Sequence, residues 1–381
     1  MKLLFILNEA KHLNNFSQSS MLAARQLGIT FHIAGKWSYL NENDKKKDEE
    51  QHAIRIHQID FQRNPFHPGN IKAYRQLYDL MRQERYDAVH CNTPVGGLLG
   101  RICAKQCGIE KVIYTAHGFH FYQGAGLFNQ TIVKVVEKFL ARFTDAIVTM
   151  NDEDHQAAAK FSLRSSGKVY HTHGVGIDTK LYAAVPADRT EYCRNLGIRA
   201  DALILISVGD LIERKGYDVS IRAVESMKTK NVCLLICGEG PLKGKLSNLC
   251  KKQHIEQYVR FLGFRNDIKE LLRISDAFLL SSKQEGLPRS LMEAMASGLP
   301  CVASNIRGNK DLLEDGKGGF LCNTDNPVMF SESIKKLFDP ELRRKMGMAN
   351  IQKIAYFDIS RVINEMKEIY TSEFVGTPKF D

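Results

Sequence analysis

Two carboxylates in the last third of the chain, Glu285 and Glu293, have the spacing of a ligand-binding pair. They flank a Gly-Leu-Pro turn, and Pro288 suits the first turn of a helix because no N–H donor is needed there. Glu285 then lies in the loop before the helix, and Glu293 lies about one and a half turns inside it. The free N–H groups at the helix start form an anion site between the two acids. This arrangement suits a sugar nucleotide; the alternative is a loop acid beside an ordinary amphipathic helix.

Three further loops in the same half carry residues suited to phosphate binding. They contain Gly209, Asp210, Arg214, Lys215 and Gly216; then Gly238, Gly240 and Pro241; and finally Gly263 and Arg265. A lysine between strand and helix can reach a phosphate, and glycines let the backbone approach a ligand closely. Each loop alone also fits a tight turn or an exposed basic segment. Together they follow predicted parallel strands, at whose carboxyl ends open α/β sheets bind ligands.

A histidine-rich loop in the first half offers a different chemistry. His117 follows a predicted buried strand, so we expect it at a sheet edge that faces an interdomain cleft. The spacing of His117 to His120, and that of His171 to His173, would allow each pair to bind zinc. No nearby acidic or cysteine ligand completes either set, and we therefore expect no metal.

The predicted helix from about 127 to 142 has two contrasting faces. Lys134, Lys138 and Arg142 follow one another at four-residue spacing. Opposite them lie apolar residues, namely Ile132, Val135, Val136 and Phe139. The ordinary interpretation is a solvated basic face over a core-facing apolar stripe. The alternative is a basic ridge beside anionic lipid.

Short apolar runs alternate with helical patterns along almost the whole chain, as expected for parallel strands covered by helices on both faces. We predict strands at 2–7, 30–34, 54–59, 87–91, 111–115, 146–150, 203–208, 232–237, 259–262, 277–280 and 301–303. Two successive sets of this kind predict two doubly wound α/β domains. We place the boundary in the Ala/Pro stretch 182–187, giving domains 1–185 and 186–356. An apolar stripe in the last helix, about 357–374, predicts that this helix packs back onto the first domain.

Composition supports two globular domains. A chain of 381 residues is longer than a single hydrophobic core usually supports. Its 44% hydrophobic and 25% charged residues are typical of a globular protein. Nine cysteines without a Cys-x-x-Cys pair indicate a reducing compartment. The net charge of +10 is spread over both halves, which argues against nucleic acid and is compatible with phosphate-bearing ligands or an anionic membrane. We expect a cytoplasmic protein, because no signal peptide and no ~18-residue apolar window is evident.

Together the motifs resemble those of the family 4 retaining glycosyltransferases of the GT-B fold. The resemblance covers nearly the whole chain and rests on His117-Gly118, Lys215-Gly216, Gly238-x-Gly240-Pro241 and Glu285-x7-Glu293. The segments that start at His117, Asn151, His173 and Glu285 resemble a bacterial subgroup. Members of that subgroup build exopolysaccharide, capsule or glycoprotein glycans by extending polyprenyl-diphosphate-linked sugars.

The resemblance implies two Rossmann-like domains facing across a cleft, and a role for each motif. Glu293 would hold the ribose hydroxyls, and Glu285 would face the hydroxyls of the donor sugar. Lys215 would pair with the departing diphosphate, so its contact would strengthen in the transition state. His117 would contact the donor sugar or its phosphate from the other domain. The implied catalytic residues are His117, Lys215 and Glu285, and the implied donor-binding residues are Gly209, Arg214, Lys215, Gly238, Gly240, Gly263, Arg265, Glu285, Gly286, Leu287 and Glu293.

Retention in this family is usually described as front-face attack, in which the departing phosphate helps to take the acceptor proton. No enzyme nucleophile is then needed. Basic residues and a helix dipole neutralise the charge, so the resemblance implies no divalent metal and no other cofactor. It implies a UDP-sugar donor and a lipid-linked saccharide acceptor. We therefore expect peripheral contact with the inner face of the plasma membrane, with Lys134, Lys138 and Arg142 as the candidate contacts.

Two positions depart from the family pattern. Many members have arginine after the glycine that ends the first strand of the second domain, where this chain has Asp210. Either Arg214 or Arg289 compensates, or Asp210 points away from the diphosphate. Many members also have a Gly-Gly turn after the first strand, which the stretch 9–16 lacks. The contacts that family members make with the acceptor through that loop therefore cannot be assigned to residues of this chain.

The preferred hypothesis is a retaining hexosyl- or N-acetylhexosaminyl-transferase. One alternative is a GT-B sugar-nucleotide epimerase of the UDP-GlcNAc 2-epimerase type, and another is an inactive nucleotide-sugar-binding subunit of a synthase complex. The carboxylate pair and the basic helix favour transfer. The donor sugar, the acceptor, the linkage and the oligomeric state stay open.

Overall fold

The computed structural model describes residues 1–9, 13, 15–37, 41–164, 167–183, 185–228 and 231–374. The chain forms two compact units, Met1–Gly176 with the stretch from Ile359 onward, and Ile177–Asp358. The division therefore precedes the Ala/Pro stretch 182–187, where the sequence placed it. Residues 177–183 belong to the second unit because Ile177 forms a parallel bridge with Asp358 and donates its N–H to the Phe357 carbonyl at 3.0 Å.

The first unit contains one parallel sheet. Its strands are β1 (Lys2–Glu9), β2 (Thr30–Lys36), β3 (Arg55–Gln58), β4 (Ala88–Asn92), β5 (Lys111–Ala116), β6 (Ala146–Thr149) and β7 (Lys168–His171). The helices are α1 (Asn15–Gln26), α2 (Glu42–His52), α3 (Gly69–Glu84), α4 (Pro94–Gln106), α5 (Lys134–Ala141) and α6 (Asp152–Ala158), with a π-helical segment, Asn129–Val133, directly before α5. Over the described residues the strand order is β3-β2-β1-β4-β5-β6-β7.

The second unit repeats this architecture. Its strands are β8 (Leu203–Val208), β9 (Val232–Cys237), β10 (Val259–Gly263), β11 (Ala277–Leu280), β12 (Cys301–Ser304) and β13 (Gly319–Cys322). The helices are α7 (Lys180–Ala183), α8 (Arg189–Leu196), α9 (Tyr217–Glu225), α10 (Lys243–Lys252), α11 (Ile268–Ile274), α12 (Arg289–Ala296), α13 (Asn309–Leu312), α14 (Pro327–Lys336) and α15 (Pro340–Ile354). Short 3₁₀ turns occur at Glu213–Lys215, Glu256–Tyr258 and Ala355–Phe357. The described strands pair in parallel in the order β10-β9-β8-β11-β12-β13.

Each sheet has a point at which the strand order reverses. The order runs outward in opposite directions from the β1/β4 pair in the first sheet and from the β8/β11 pair in the second. Ligands of open α/β sheets bind outside the carboxyl ends of the strands at such a switch point. In the second unit the flanking loops carry Lys215 and Glu285. The predicted α/β class with two doubly wound, Rossmann-like domains is confirmed.

The last helix, α16 (Ile359–Phe374), packs on the first unit. Met366, Ile369 and Tyr370 are buried in the core that includes strand β1. The Tyr370 hydroxyl lies 2.7 Å from Nδ1 of His90 on β4, and Nε2 of His90 lies 2.7 Å from the hydroxyl of Thr115. The hydrogen bonds of this buried histidine therefore tie α16 to the centre of the sheet.

Candidate functional site

Backbone hydrogen bonds join the loops after β8, β9 and β10. Gly209 donates its N–H to the Cys237 carbonyl at 2.9 Å, and Gly238 donates to the Gly263 carbonyl at 2.8 Å. Gly238 has φ +145°, and a Cβ there would overlap the carbonyl oxygen of Gly209. A Cβ at Gly240 would meet the backbone of the loop after β8 at 2.5 Å. The predicted donor-site glycines therefore meet at one sheet edge, and close backbone approach explains two of them.

Lys215 and Arg214 both contact the carboxylate of Glu285. Lys215 Nζ lies 2.7 Å from Oε1, and Arg214 Nη1 lies 3.3 Å from Oε2. Ser282 donates its hydroxyl to Oε1 at 2.7 Å. We call these four residues the charged cluster. It joins the predicted phosphate loop to the predicted loop acid across the switch point between β8 and β11.

The pKa of Glu285 reflects opposing effects. Burial raises the pKa, whereas the charges of Lys215 and Arg214 and the hydrogen bonds from Lys215 and Ser282 lower it. The lowering effects together are larger than the effect of burial. The pKa of Glu285 therefore lies below its ordinary value, and the carboxylate is ionised at neutral pH. One anion with two cations leaves the charged cluster with a net positive charge, which suits a diphosphate.

The 3₁₀ turn Glu213–Lys215 presents Lys215 to the charged cluster. Gly216 ends this turn with φ +59°, and a Cβ there would overlap the carbonyl oxygen of Ser281. The Ser281 hydroxyl also donates to the Gly216 carbonyl at 2.7 Å. Glycine is therefore needed after the lysine, because the turn packs directly against the end of β11.

Glu293 lies in the second turn of α12 and is held through one of its oxygens. Arg289 Nε lies 2.8 Å from Oε1, and Tyr182 donates its hydroxyl to the same oxygen at 3.0 Å. Oε2 accepts no hydrogen bond from the residues that the structure describes. Burial, followed by the charge of Glu293, raises the pKa of Tyr182, so its hydroxyl stays protonated. Tyr182 was not predicted as a site residue from the sequence, because it lies in the stretch 182–187 that was interpreted as the domain boundary.

Residues after β12 hold the turn that contains Gly286 and Leu287. Arg307 is buried and donates from Nε to the Glu285 carbonyl at 3.1 Å. Gly308 has φ +75°, and a Cβ there would overlap the carbonyl oxygen of Gly286. Neither residue was predicted from the sequence. An Arg-Gly pair after a predicted strand forms no recognisable motif, so no local signal singled them out.

Asp210 stands apart from the charged cluster. Its side chain is exposed, and neither arginine expected to compensate for it makes an ion pair with it. Arg214 contacts Glu285 instead, and Arg289 contacts Glu293. Within the described ranges, no cation lies within 4.0 Å of the Asp210 carboxylate. The other departure from the family pattern, the stretch 9–16, lies in large part outside the described residues.

Arg265, expected beside a nucleobase, is engaged with Asp267. Its Nε lies 2.7 Å from Oδ1 of Asp267, and its Nη2 lies 2.5 Å from Oδ2. These hydrogen bonds lower the pKa of Asp267. The guanidinium is therefore held at the carboxyl end of β10, close in sequence to Gly263 and to the exposed ring of Phe264.

His117 lies in the first unit, at the carboxyl end of β5. Its Nε2 lies 3.0 Å from Oδ1 of Asn92, so Nε2 carries the proton and Nδ1 is an acceptor. Nδ1 is buried and has no hydrogen-bond partner among the described atoms. Burial lowers the pKa of His117 to about 4, so the ring is neutral at pH 7. It can accept a hydrogen bond from a ligand hydroxyl.

The other histidines singled out for zinc have different partners. His173 Nδ1 lies 2.6 Å from Oε1 of Glu365, and the His171 ring stacks on His155 at 5.2 Å. In the part of the chain that the structure describes, no three His, Cys, Asp or Glu side chains are grouped to hold a metal ion. The structure therefore brings neither histidine pair into a ligand set.

The helix with Lys134, Lys138 and Arg142 differs from the ordinary interpretation. The predicted core stripe is exposed, namely Ile132, Val135, Val136 and Phe139. The buried residues of α5 are Glu137, Leu140 and Ala141. The predicted core-facing stripe was wrong because the buried Arg101 on α4 pairs with Glu137 at 2.7 Å and holds that face inward. None of the described helices has both the length and the apolar composition to cross a bilayer.

Comparisons with known proteins agree with this architecture. Residues 188–353 match the family described as Glycosyl transferases group 1, and residues 3–151 match the family described as Glycosyl transferase 4-like. The chain is 33% identical over 381 residues to glycosyltransferase EpsD of Bacillus subtilis (strain 168), across 97% of this chain and 96% of EpsD. It is 29% identical over 314 residues to the UDP-Gal:alpha-D-GlcNAc-diphosphoundecaprenol alpha-1,3-galactosyltransferase of Escherichia coli, across 81% of each protein.

A solved structure shows the same fold. Anabaena HepE, crystallised with UDP and glucose, matches with a TM-score of 0.80 at 20% identity, across 98% of this chain and all of HepE. At this identity the likeness concerns the fold alone. The family matches and the similarity to EpsD show the family itself. The chain belongs to the family 4 glycosyltransferases of the GT-B fold, and it is therefore a transferase.

Proposed function

We propose that the chain is a retaining, metal-independent hexosyl- or N-acetylhexosaminyl-transferase. It moves a sugar from a UDP-sugar to a polyprenyl-diphosphate-linked saccharide in the assembly of a bacterial exopolysaccharide or related glycan. The observation that carries this proposal is the charged cluster at the switch point of the second sheet. The names of the Escherichia coli relative and of HepE's ligands support the substrate classes.

The charged cluster can stabilise the leaving group. When the bond between the anomeric carbon and the diphosphate oxygen breaks, negative charge grows on the diphosphate. Lys215 and Arg214 supply two cations at that place, and the N–H groups of Gly286 and Leu287 precede α12 on the same sheet edge. Interactions that strengthen as the charge develops lower the barrier rather than only the ground state.

The two carboxylates take different hydroxyl groups. Glu285 faces the donor sugar and accepts hydrogen bonds from its hydroxyls. Oε2 of Glu293 accepts no hydrogen bond from described residues, and it accepts hydrogen bonds from the ribose hydroxyls of the nucleotide. Gly263 and Arg265 lie at the end of β10 and border the base. Because Arg289 and Tyr182 hold Oε1 of Glu293, its carboxylate is oriented before the nucleotide arrives.

The transfer step balances without an enzyme nucleophile. The acceptor hydroxyl oxygen bonds to the anomeric carbon on the face that UDP leaves, and its proton passes to a diphosphate oxygen. The products are UDP and a glycoside with the donor's anomeric configuration. His117 is neutral and accepts a hydrogen bond from a sugar hydroxyl through Nδ1. A nucleotide sugar and a lipid-linked acceptor place the enzyme at the cytoplasmic face of the plasma membrane.

The test is a panel of UDP-, GDP- and ADP-sugars with a synthetic polyprenyl-diphosphate-linked N-acetylglucosamine, with and without EDTA. We expect a disaccharide by mass spectrometry with one UDP-sugar, full activity in EDTA, and a retained anomeric configuration by NMR. The same saccharide without its polyprenyl diphosphate is the control. An inverted product, or UDP-GlcNAc converted to its epimer without acceptor, would contradict the proposal. Family membership favours transfer over that epimerase alternative.

A further inference from the structure

The last residue of β4, Asn92, contacts the ring of His117. Its Oδ1 lies 3.0 Å from Nε2 of His117, and its Nδ2 donates to the His90 carbonyl oxygen at 3.4 Å. The second hydrogen bond orients the amide, because it leaves the amide oxygen facing the imidazole. Asn92 is only 2% exposed, so it has almost no surface that a substrate could reach. Any effect of Asn92 on a bound sugar must therefore pass through His117.

The backbone directly after Asn92 has an unusual conformation. Thr93 has φ +64° and ψ 158°, a combination that few residues other than glycine adopt. Its hydroxyl donates to Oδ1 of Asn8 at 2.8 Å and accepts the Asn8 N–H at 3.1 Å. Because Asn8 lies on β1, these bonds fix the end of β4 at the point where the strand order of the first sheet reverses. Such conformations persist only where the surrounding structure imposes them, and they cluster at functional sites.

The chain that follows His117 is anchored as well. Asp154 of α6 is buried, and its Oδ2 accepts the Phe119 N–H at 3.1 Å. The ring of Phe16 meets the imidazole edge-on, with the two ring centres 5.0 Å apart. With the backbone held, two things about His117 stay variable: the rotation of its ring and the nitrogen that carries its proton. Asn92 contacts the ring atom that decides both.

The position of the proton decides what the ring can offer a ligand. An amide oxygen only accepts, so Nε2 carries the proton and Nδ1 is left as an acceptor. Nδ1 is buried and has no hydrogen-bond partner among the described residues. Burial lowers the pKa of His117 to about 4, and no charged side chain in the described ranges adds to that shift. The titratable group that interacts with it, His90, is itself neutral at pH 7 because its pKa is about 3.

We propose that Asn92 is a positioning residue, which holds His117 in the tautomer with its proton on Nε2 and leaves Nδ1 to accept from a sugar hydroxyl. The inference rests on the proposed function, in which His117 accepts a hydrogen bond from that hydroxyl. An aliphatic side chain in place of Asn92 would let the ring rotate or carry its proton on Nδ1. A carboxylate there would favour the imidazolium, in which both nitrogens are donors and no acceptor remains.

The first test determines the tautomer and needs no turnover. Two-bond proton–nitrogen correlation NMR of the full chain with isotope-labelled histidine shows which ring nitrogen is protonated, and His117→Gln assigns the signals by their loss. We expect a protonated Nε2 and an unprotonated Nδ1 in the wild type, and a mixture of tautomers in Asn92→Leu. A wild-type ring with its proton on Nδ1 would overturn the proposal, as would the wild-type tautomer alone in Asn92→Leu.

The second test measures the reaction. Asn92→Leu should lower the turnover number by about tenfold or more and leave the affinity for UDP within about twofold, because Asn92 reaches no substrate. Asn92→Asp keeps the shape of the side chain but raises the pKa of His117. Its turnover should therefore rise with pH between about 6 and 8, where the ring loses its extra proton, and the wild type should lack this rise. Asn70→Asp, at another buried asparagine of the first unit that bonds to the backbone, is the control and should lack it too.

The double variant Asn92→Leu with His117→Gln separates a positioning role from a general structural one. If Asn92 acts through His117, the double variant should turn over no more slowly than His117→Gln alone. Additive losses would overturn the proposal, as would wild-type turnover in Asn92→Leu or a wild-type pH profile in Asn92→Asp. A wild-type chain that transfers no sugar would contradict the proposed function instead, and the NMR result would still decide whether Asn92 sets the tautomer of His117.

Discussion

Lys215 Nζ lies 2.7 Å from Glu285 Oε1 at the point where the strand order of the second sheet reverses. The lysine proposed to bind the diphosphate is therefore held by a buried carboxylate. An incoming diphosphate must share Lys215 and Arg214 with that carboxylate. Replacing Glu285 should therefore strengthen nucleotide binding, whereas replacing Lys215 should weaken it.

Glu285→Gln should bind UDP several-fold more tightly and turn over about a hundredfold more slowly. The amide keeps the shape of the side chain but no longer competes for Lys215, whereas the donor-sugar hydroxyls lose a charged acceptor. Titration calorimetry with UDP and steady-state transfer measure the two effects. Glu341→Gln, on the exposed surface of α15, is the matched control. Weaker UDP binding together with normal turnover would show that Glu285 serves the nucleotide and not the sugar.

Glu293→Gln should weaken UDP binding by about tenfold, because the ribose hydroxyls lose a charged acceptor. Tyr182→Phe removes only the hydrogen bond to Oε1 and should have a smaller effect in the same direction. The affinities for UDP and for inorganic diphosphate separate ribose from phosphate contacts. Diphosphate binding should stay unchanged in both variants. If Glu293→Gln binds UDP like the wild type, the ribose lies elsewhere.

Gly308→Ala should lower UDP affinity, and Gly316→Ala should not. Both glycines have positive φ, +75° and +73°, so an alanine is strained at either position. Only at Gly308 would the added Cβ overlap the carbonyl oxygen of Gly286 and displace the turn before α12, since Gly316 has open space. UDP titration and thermal melting of the two variants make the comparison. Equal affinities would show that this turn does not bind the diphosphate.

The first unit should lose stability as the pH falls below about 6.5. Burial, and then the charge of His117, lowers the pKa of His90 to about 3. The unfolded chain therefore binds a proton that the folded chain refuses between about pH 6.5 and 3, and stability that is complete above this range is lost within it. The slope is about 1.4 kcal/mol per pH unit for this histidine. Urea unfolding between pH 7 and 5 should show a shallower dependence for His90→Gln than for the exposed-site control His67→Gln. Equal slopes would mean that His90 is protonated when folded.

The sequence could predict which residues meet at the sheet edge but not how they pair. Parallel strands bring their following loops to one side, so Lys215 and Glu285 could be assigned to one site although 70 positions separate them. Strand order in three dimensions decides that β8 and β11 are neighbours, and only then does the lysine contact this carboxylate. Arg307 and Gly308 follow a strand that was predicted, but an Arg-Gly dipeptide is not a recognisable motif, so their role could not be inferred from the sequence.

Helix α5 shows a limit of a different kind. Helical periodicity separated a basic face from an apolar one, but both are exposed, and the buried face is a third one with Glu137, Leu140 and Ala141. The usual assumption buries the apolar side, whereas the buried Arg101 requires an acidic partner and thereby buries Glu137. That choice depends on a residue of another helix, which no local pattern contains. Tyr182 was missed for a similar reason, because its contact with Glu293 depends on how α7 packs on α12.

In the proposed reaction, Lys215 stabilises the diphosphate as it leaves the donor sugar. The most direct measurement is turnover at saturating donor and polyprenyl-diphosphate acceptor for the wild type and Lys215→Ala. Lys245→Ala, whose exposed side chain pairs with Glu213, is the control. We predict a turnover lower by a factor on the order of 10²–10³ for Lys215→Ala, the usual effect of losing one electrostatic stabiliser, and a normal value for the control. A Lys215→Ala enzyme that transfers sugar within about twofold of the wild-type rate would show that Lys215 does not stabilise the leaving diphosphate.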